Sequence, residues 1–168
     1  MANICYVEGK VWAKSKSKIR SFIGWLKEYK MLQVEETEEI QTLENGLFSQ
    51  VFIGDCKWSI ESSINNPSDK KGDLTIKTNG IIVELWSQEP GCEFEEHYVV
   101  ENGNITTNDT VDWTGVFIDD FENETEMTEC GYTKEDFDEN GWCHKGGFKD
   151  WGEFASDVTP DLFEYNRI

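Results

Sequence analysis

The sequence predicts an α+β fold in which an antiparallel sheet built from hairpins carries an N-terminal helix on one face. Residues 4–12 are rich in β-branched and aromatic side chains, which are typical of strands. Apolar residues over 19–29 recur with the period of an amphipathic helix. Asn-Gly dipeptides at Asn79 and Asn102 lie between strand-like runs, and this dipeptide is the strongest short hairpin signal.

The first strand and the helix that follows it are the clearest elements in the chain. Ser15 or Ser17 can cap the start of the helix. We expect the apolar stripe of the helix to lie on the sheet. The stripe consists of Ile19, Phe22, Ile23, Leu26 and Tyr29.

The middle of the chain contains a polar segment and then an alternating one. Residues 33–44 hold five Glu and few apolar positions, which favours a solvated loop or a short surface helix. Over 57–64 apolar and polar residues alternate around Trp58 and Ile60, the period of a half-buried strand.

Two hairpins and one further strand are predicted next. Both central residues of a type I′ turn need a positive φ, which Asn and Gly tolerate. The runs that the two Asn-Gly turns join, and the further strand, are Leu74–Ile76, Ile81–Trp86, Phe94–Val100, Asn104–Thr106 and Trp113–Ile118.

Length and composition predict a single α+β domain over 1–168, without an internal repeat or a low-complexity linker. Because 38% of the residues are apolar and 13% are aromatic, the chain can bury a core. No signal peptide or membrane span is recognisable, so we expect a cytoplasmic protein. Five cysteines without paired spacing indicate free thiols in a reducing compartment.

Net charge is the strongest functional signal in the sequence. The chain carries −19, yet residues 1–30 hold seven basic and two acidic side chains, a local charge of +5. The field of the other residues repels phosphate and attracts cations. We therefore expect a basic protein partner, and neither direct binding to nucleic acid nor binding to a membrane.

The negative charge is densest in an acidic C-terminal region at about 119–141. Over 119–139 ten acids face one base, Lys134, for a net charge of −9. Thr133 with Asp136 resembles a helix start, and Gly141 resembles a helix stop. We predict that the acids bind the partner. They are Asp119, Asp120, Glu122, Glu124, Glu126, Glu129, Glu135, Asp136, Asp138 and Glu139.

The tail beyond this region is rich in aromatic residues. Packing over the sheet is the default expectation for its rings, and an exposed binding surface is the alternative. The rings belong to Trp142, Phe148, Trp151, Phe154, Phe163 and Tyr165.

Motifs for cofactors and catalysis are incomplete. Residues 136–141 match the start of a calcium-binding EF-hand loop, but Gly147 stands where a bidentate Glu is needed. Cys130, Cys143 and His144 lack the close spacing of a structural zinc site. His97 is expected on a strand facing solvent, without a recognisable nucleophile. We predict no cofactor, no metal and no enzymatic activity.

Two segments resemble the ferredoxin-like YubB family of plasmid and phage proteins. They are the N-terminal strand and helix from Met1, and Trp86–Glu96 continued by Tyr98–Gly103. The resemblance covers about half of the chain and implies a ferredoxin-like core and a mobile genetic element. It transfers no catalytic residues. The acidic region 119–139 departs from the family.

These observations favour an acidic, non-catalytic binding protein from a phage or mobile element. It would inhibit a host nucleic-acid enzyme, such as a CRISPR effector, by presenting carboxylates to its basic channel in the host cytoplasm. An immunity protein that neutralises a basic toxin is one alternative, and a small enzyme with a carboxylate or Cys/His site is another. A fourth hypothesis places nucleic acid on the basic N-terminal helix, whose cations are otherwise a solvated outer face.

Overall fold

The computed structural model describes residues 4–29, 32–61 and 79–163. The eight strands within these residues form one antiparallel sheet in the order β2-β4-β1-β5-β6-β7-β8, with β3 paired to β4. The two α-helices that lie wholly within these residues are α1 (Lys16–Tyr29) and α2 (Glu124–Glu129). The strands are β1 (Ile4–Ala13), β2 (Leu32–Thr37), β3 (Gln41–Thr42), β4 (Phe48–Lys57), β5 (Ile81–Glu89), β6 (Phe94–Glu101), β7 (Asn104–Phe117) and β8 (Trp142–Gly146).

The predicted α+β class, with an antiparallel sheet and an N-terminal helix on one face, is confirmed. Helix α1 buries Ile19, Phe22 and Leu26 against sheet residues that include Val7 and Val83. Ser15 accepts the backbone N–H of Lys18 at 3.4 Å at the start of the helix. The sheet is larger than that of a ferredoxin-like fold, and a ferredoxin-like core is not confirmed.

The opposite face of the sheet is closed by residues 147–163, which we call the C-terminal cover. Val158 and Phe163 form a second apolar cluster with Trp12, Leu47 and Ile82. The predicted packing of the aromatic tail over the sheet is confirmed for Phe148, Trp151, Phe154 and Phe163, with Phe148 against Trp86 and Trp151 against Tyr6. Trp142 instead lies in β8 itself, where it is partly buried. Tyr165 lies outside the described residues.

The Asn102-Gly103 hairpin is confirmed, with φ of 50° and 88° at its two central residues. Strand β7 then runs without a break from Asn104 to Phe117, so two of the predicted strands are one. The turn at Asn79-Gly80 precedes β5 as expected, with φ of 73° at Gly80. The predicted partner run Leu74–Ile76 lies outside the described residues.

Two predictions about the middle of the chain are wrong. Residues 33–44 contain β2 and β3 rather than a loop or helix, because β4 offers a free edge for pairing. The strand predicted over 57–64 does not form in its described part, since β4 ends at Lys57 and Trp58 has φ of 70°. Ile60 and Glu61 are helical, and the rest of that segment lies outside the described residues.

Two glycines offer a direct test of how tightly β2 packs on β4. A Cβ at Gly54 would lie 2.4 Å from the carbonyl oxygen of Gln33, whereas a Cβ at Gly24 in α1 meets nothing within 4 Å. We expect Gly54→Ala to lower the free energy of unfolding by about 1–3 kcal/mol. Gly24→Ala should raise it by about 0.5–1 kcal/mol. Urea unfolding measures both, and shifts of the same sign would contradict this packing.

Candidate functional site

The ten predicted partner-binding acids lie on the segment that joins β7 to β8, residues 118–141, which we call the acidic module. Its centre is a group of three rings, in which Phe121 lies 5.5 Å from Tyr132 and 6.3 Å from Phe137 between centroids. Met127, in the helix of the same segment, is buried at 3% exposure. The acids are therefore displayed on a small folded unit with its own apolar interior.

Helix α2 is short because both of its ends are capped. The side chain of Asn123 accepts the backbone N–H groups of Thr125 and Glu126 at 3.0 and 3.1 Å. Gly131, with φ of 83°, ends the helix in a Schellman motif in which the N–H of Tyr132 bonds to the carbonyl of Met127. A continuous helical row of charge over 119–139 is thus excluded.

The helix start predicted at Thr133 is a single 3-10 turn, Lys134–Asp136. The Asp136 carboxylate accepts the backbone N–H of Thr133 at 2.7 Å, and this bond holds the pKa of Asp136 below its usual range. Gly141 is not a helix stop. It has φ of 76° and lies directly before β8, where its carbonyl accepts the N–H of Ile118 at 2.8 Å.

Five of the module's ten acids form a hydrogen bond or an ion pair within the module through their carboxylates. Four of them accept backbone N–H groups at turns or near a helix end, at distances between 2.7 and 3.0 Å. The carboxylate of Glu124 lies 3.1 Å from the ammonium of Lys134, although both side chains are more than half exposed and the pair contributes little stability. The four turn-holding acids are Asp120, Glu126, Asp136 and Asp138.

The carboxylates of the other five acids are exposed and form no hydrogen bond or ion pair within the described parts of the chain. Their negative charge is not neutralised by the protein itself. We call them the free carboxylates: Asp119, Glu122, Glu129, Glu135 and Glu139. Sequence reasoning predicted all ten acids, and the structure separates those that hold turns from those that do not.

The residues that resemble a calcium loop serve as a turn. One oxygen of Asp138 accepts the N–H groups of Asn140 and Trp142 at 2.8 and 3.0 Å. Among residues 4–29, 32–61 and 79–163, no group of three or more His, Cys, Asp or Glu side chains is placed to hold a metal ion. The five cysteines all lie within the described residues and none of them forms a disulfide bond, and burial raises the pKa of the Cys143 thiol.

Sequence reasoning missed four buried glutamates on β5 and β6, each at most 4% exposed. Glu84 and Glu95 accept the backbone N–H groups of Ala155 and Phe148, at 2.8 and 2.7 Å, and so anchor the C-terminal cover. On the helix side of the sheet, Glu96 accepts the N–H of Ile60 at 2.7 Å. The fourth, Glu89, accepts the N–H of Cys92 in the turn between the strands.

His97 does not face solvent as expected. Its ring stacks on Trp86 with 3.7 Å between centroids, its side chain is 19% exposed, and its Nε2 lies 2.8 Å from Glu84. The hydroxyl of Ser87 lies on the opposite face of the sheet and donates to Glu96 at 2.7 Å. The histidine and carboxylate pair is thus built into the contact between sheet and cover, and Ser87 is not part of it.

The basic helix contributes to a separate cleft of about 530 Å³ between α1 and the segment that joins β2 to β3, with Gln50 of β4 also lining it. Lys16, Arg20 and Lys27 line its helical wall, and Glu39 lies on the other wall. Lys16 also lies over the ring of Phe48, with Nζ 5.4 Å from the centroid. The positive charge of the N-terminal segment is therefore separate from the acidic module.

No protein-family model matches this chain, and no curated protein or solved structure is significantly similar to it. Within the described residues, no helix is both long and apolar enough to cross a bilayer. The function must therefore be argued from the geometry and charge of the acidic module.

Glu96 gives a prediction with a defined pH dependence. Burial raises its pKa above 4.5, and the hydrogen bonds from Ile60 and Ser87 oppose that shift in part. An acid with a raised folded-state pKa contributes stability that is present at low pH and is lost as pH rises through that pKa. As pH rises above the unfolded-state pKa of about 4.3, we expect Glu96→Gln to gain stability relative to the natural protein.

The comparison variant is Glu96→Ala, which leaves the N–H of Ile60 and the hydroxyl of Ser87 without their acceptor. It should lower the free energy of unfolding by about 1–3 kcal/mol. Urea unfolding at several pH values measures both variants. A constant difference between Glu96→Gln and the natural protein at every pH would show that this carboxyl group does not titrate as stated.

Proposed function

We propose that this protein is a non-catalytic inhibitor that uses its acidic module to occupy the basic nucleic-acid channel of an enzyme. We further propose that it belongs to a phage or mobile element and acts on a host enzyme, a CRISPR effector being the first candidate. The observation that carries the proposal is the set of five free carboxylates on a folded support.

Free carboxylates suit this role because binding does not require an internal ion pair to be broken. A cationic surface meets them as it would meet the phosphates of its nucleic acid, and complementary potentials speed the encounter. The turn-holding acids contribute differently, since their bonds to backbone N–H groups fix the loops that display the free ones. Part of the entropic cost of ordering these loops is therefore met before binding.

In this proposal the module imitates the negative charge of nucleic acid, and not the regular spacing of its phosphates. Helix α2 spans only Glu124–Glu129, and the module's acids outside it lie on 3-10 turns and loops. The module therefore presents a compact anionic surface. Such a surface fits a concave cationic site, but it does not reproduce the regular charge spacing of a nucleic-acid duplex.

Charge reversal at the five free carboxylates tests the proposal. Replacing Asp119, Glu122, Glu129, Glu135 and Glu139 together by Lys should weaken binding to the partner by about 100-fold or more. The matched control replaces the five exposed acids around β2 and β3 by Lys, which changes the net charge by the same amount. These control positions are Glu35, Glu36, Glu38, Glu39 and Glu44.

Binding is measured by calorimetry against purified nucleic-acid enzymes at two salt concentrations, after thermal unfolding shows that both variants fold. Equal weakening in the two variants would show that overall charge, and not the module, determines binding. Nucleic acid should compete with the protein for the enzyme. Binding that ignores this competitor would instead favour the alternative of a basic toxin neutralised elsewhere on its surface.

A further inference from the structure

An aromatic pair, exposed Phe117 and partly buried Trp142, lies at the base of the acidic module. The Phe117 ring is 50% exposed and tilted against Trp142, with 4.7 Å between centroids. The two residues face each other across the last register position of β7 and β8. Trp142 can lie there because a Cβ at Gly115, the next position on that face of β7, would come within 2.2 Å of its ring. Because position 115 has no side chain, the Trp142 ring fits beside Phe117, and the Phe117 ring remains exposed to solvent.

Free carboxylates flank this ring pair along the chain. Asp119 follows Phe117 by two residues, and Glu139 precedes Trp142 by three. The carboxylate of Asp120 accepts the backbone N–H of Phe117 at 2.7 Å, which fixes the turn that links the ring to the module. The surface therefore combines an exposed aromatic face with uncompensated negative charge.

This combination favours arginine over lysine. A guanidinium group is planar, stacks on aromatic faces and binds carboxylates through a fork of N–H groups, whereas an ammonium group is a compact and strongly hydrated charge. The module already holds one cation on a ring, since Nζ of Lys145 lies 4.1 Å from the centroid of Tyr132. The Phe117 ring, in contrast, is half open to solvent.

We propose that Phe117 and Trp142 form a docking surface for an arginine side chain of the protein partner. Charge complementarity selects this occupant, because the net charge of −9 over 119–139 favours a cation and the open ring favours a planar one. The inference rests on the proposed function and deepens it. The partner's contact segment would then be rich in arginine rather than in lysine.

The test uses arginine and lysine homopeptides of equal length, with Trp fluorescence and calorimetry as readouts. The natural protein should bind the arginine peptide about three- to tenfold more tightly. Phe117→Ala should lose that preference and keep its affinity for the lysine peptide. Phe117→Leu, which retains an apolar contact with Trp142 but no ring, should behave in the same way. Ile105→Ala is the control, since Ile105 is a 36% exposed apolar residue near the other end of β7.

Equal affinity for the two peptides in the natural protein would overturn the inference, and so would an arginine preference that survives in both Phe117 variants. Either result leaves the proposed function standing if the five-lysine module variant loses both peptides. Binding of both peptides that survives in the module variant would instead count against the proposed function and this inference together.

Discussion

The fold depends on how the second face of the sheet is covered. Helix α1 closes one face, and the irregular C-terminal cover closes the other. An irregular segment brings backbone N–H groups into the interior, where each needs an acceptor that secondary structure does not supply. Glu84 and Glu95 provide these acceptors to Ala155 and Phe148. Buried acids in this protein are therefore a requirement of its architecture.

The same requirement divides the acids into groups that net charge alone cannot distinguish. Buried carboxylates on β5 and β6 hold backbone segments in place, and turn-holding carboxylates do so within the acidic module. Within the acidic module, the carboxylates that form no bond to the protein itself remain available to a partner. Asp120 and Asp119 are neighbours in the chain, yet one fixes the turn beside Phe117 and the other has no partner among the described residues.

Local patterns predicted the elements that local forces determine. The helical period of α1 and the Asn-Gly turn after β6 were sufficient, because side-chain spacing and positive φ are local properties. The pairing of β2 with β4 and the burial of Glu84 depend on distant segments and were missed. One signal was available: Ile82 and Trp86 flank Glu84 on its own face of β5, and a strand that is apolar on both faces is covered on both.

Affinity and selectivity have different physical sources on the acidic module. Exposed charges steer encounter and lose their effect as salt rises, so they contribute more to association rate than to a long-lived complex. Slowly dissociating complexes depend on a few side chains that become fully buried in the interface, and aromatic side chains are prominent among them. Among the described residues in and next to the acidic module, Phe117 is the most exposed large apolar side chain. Phe117 precedes Asp119 by two residues in the chain. The module thus pairs a charge that attracts the partner with an apolar side chain that can be buried on binding, and a surface of acids alone would lack the second.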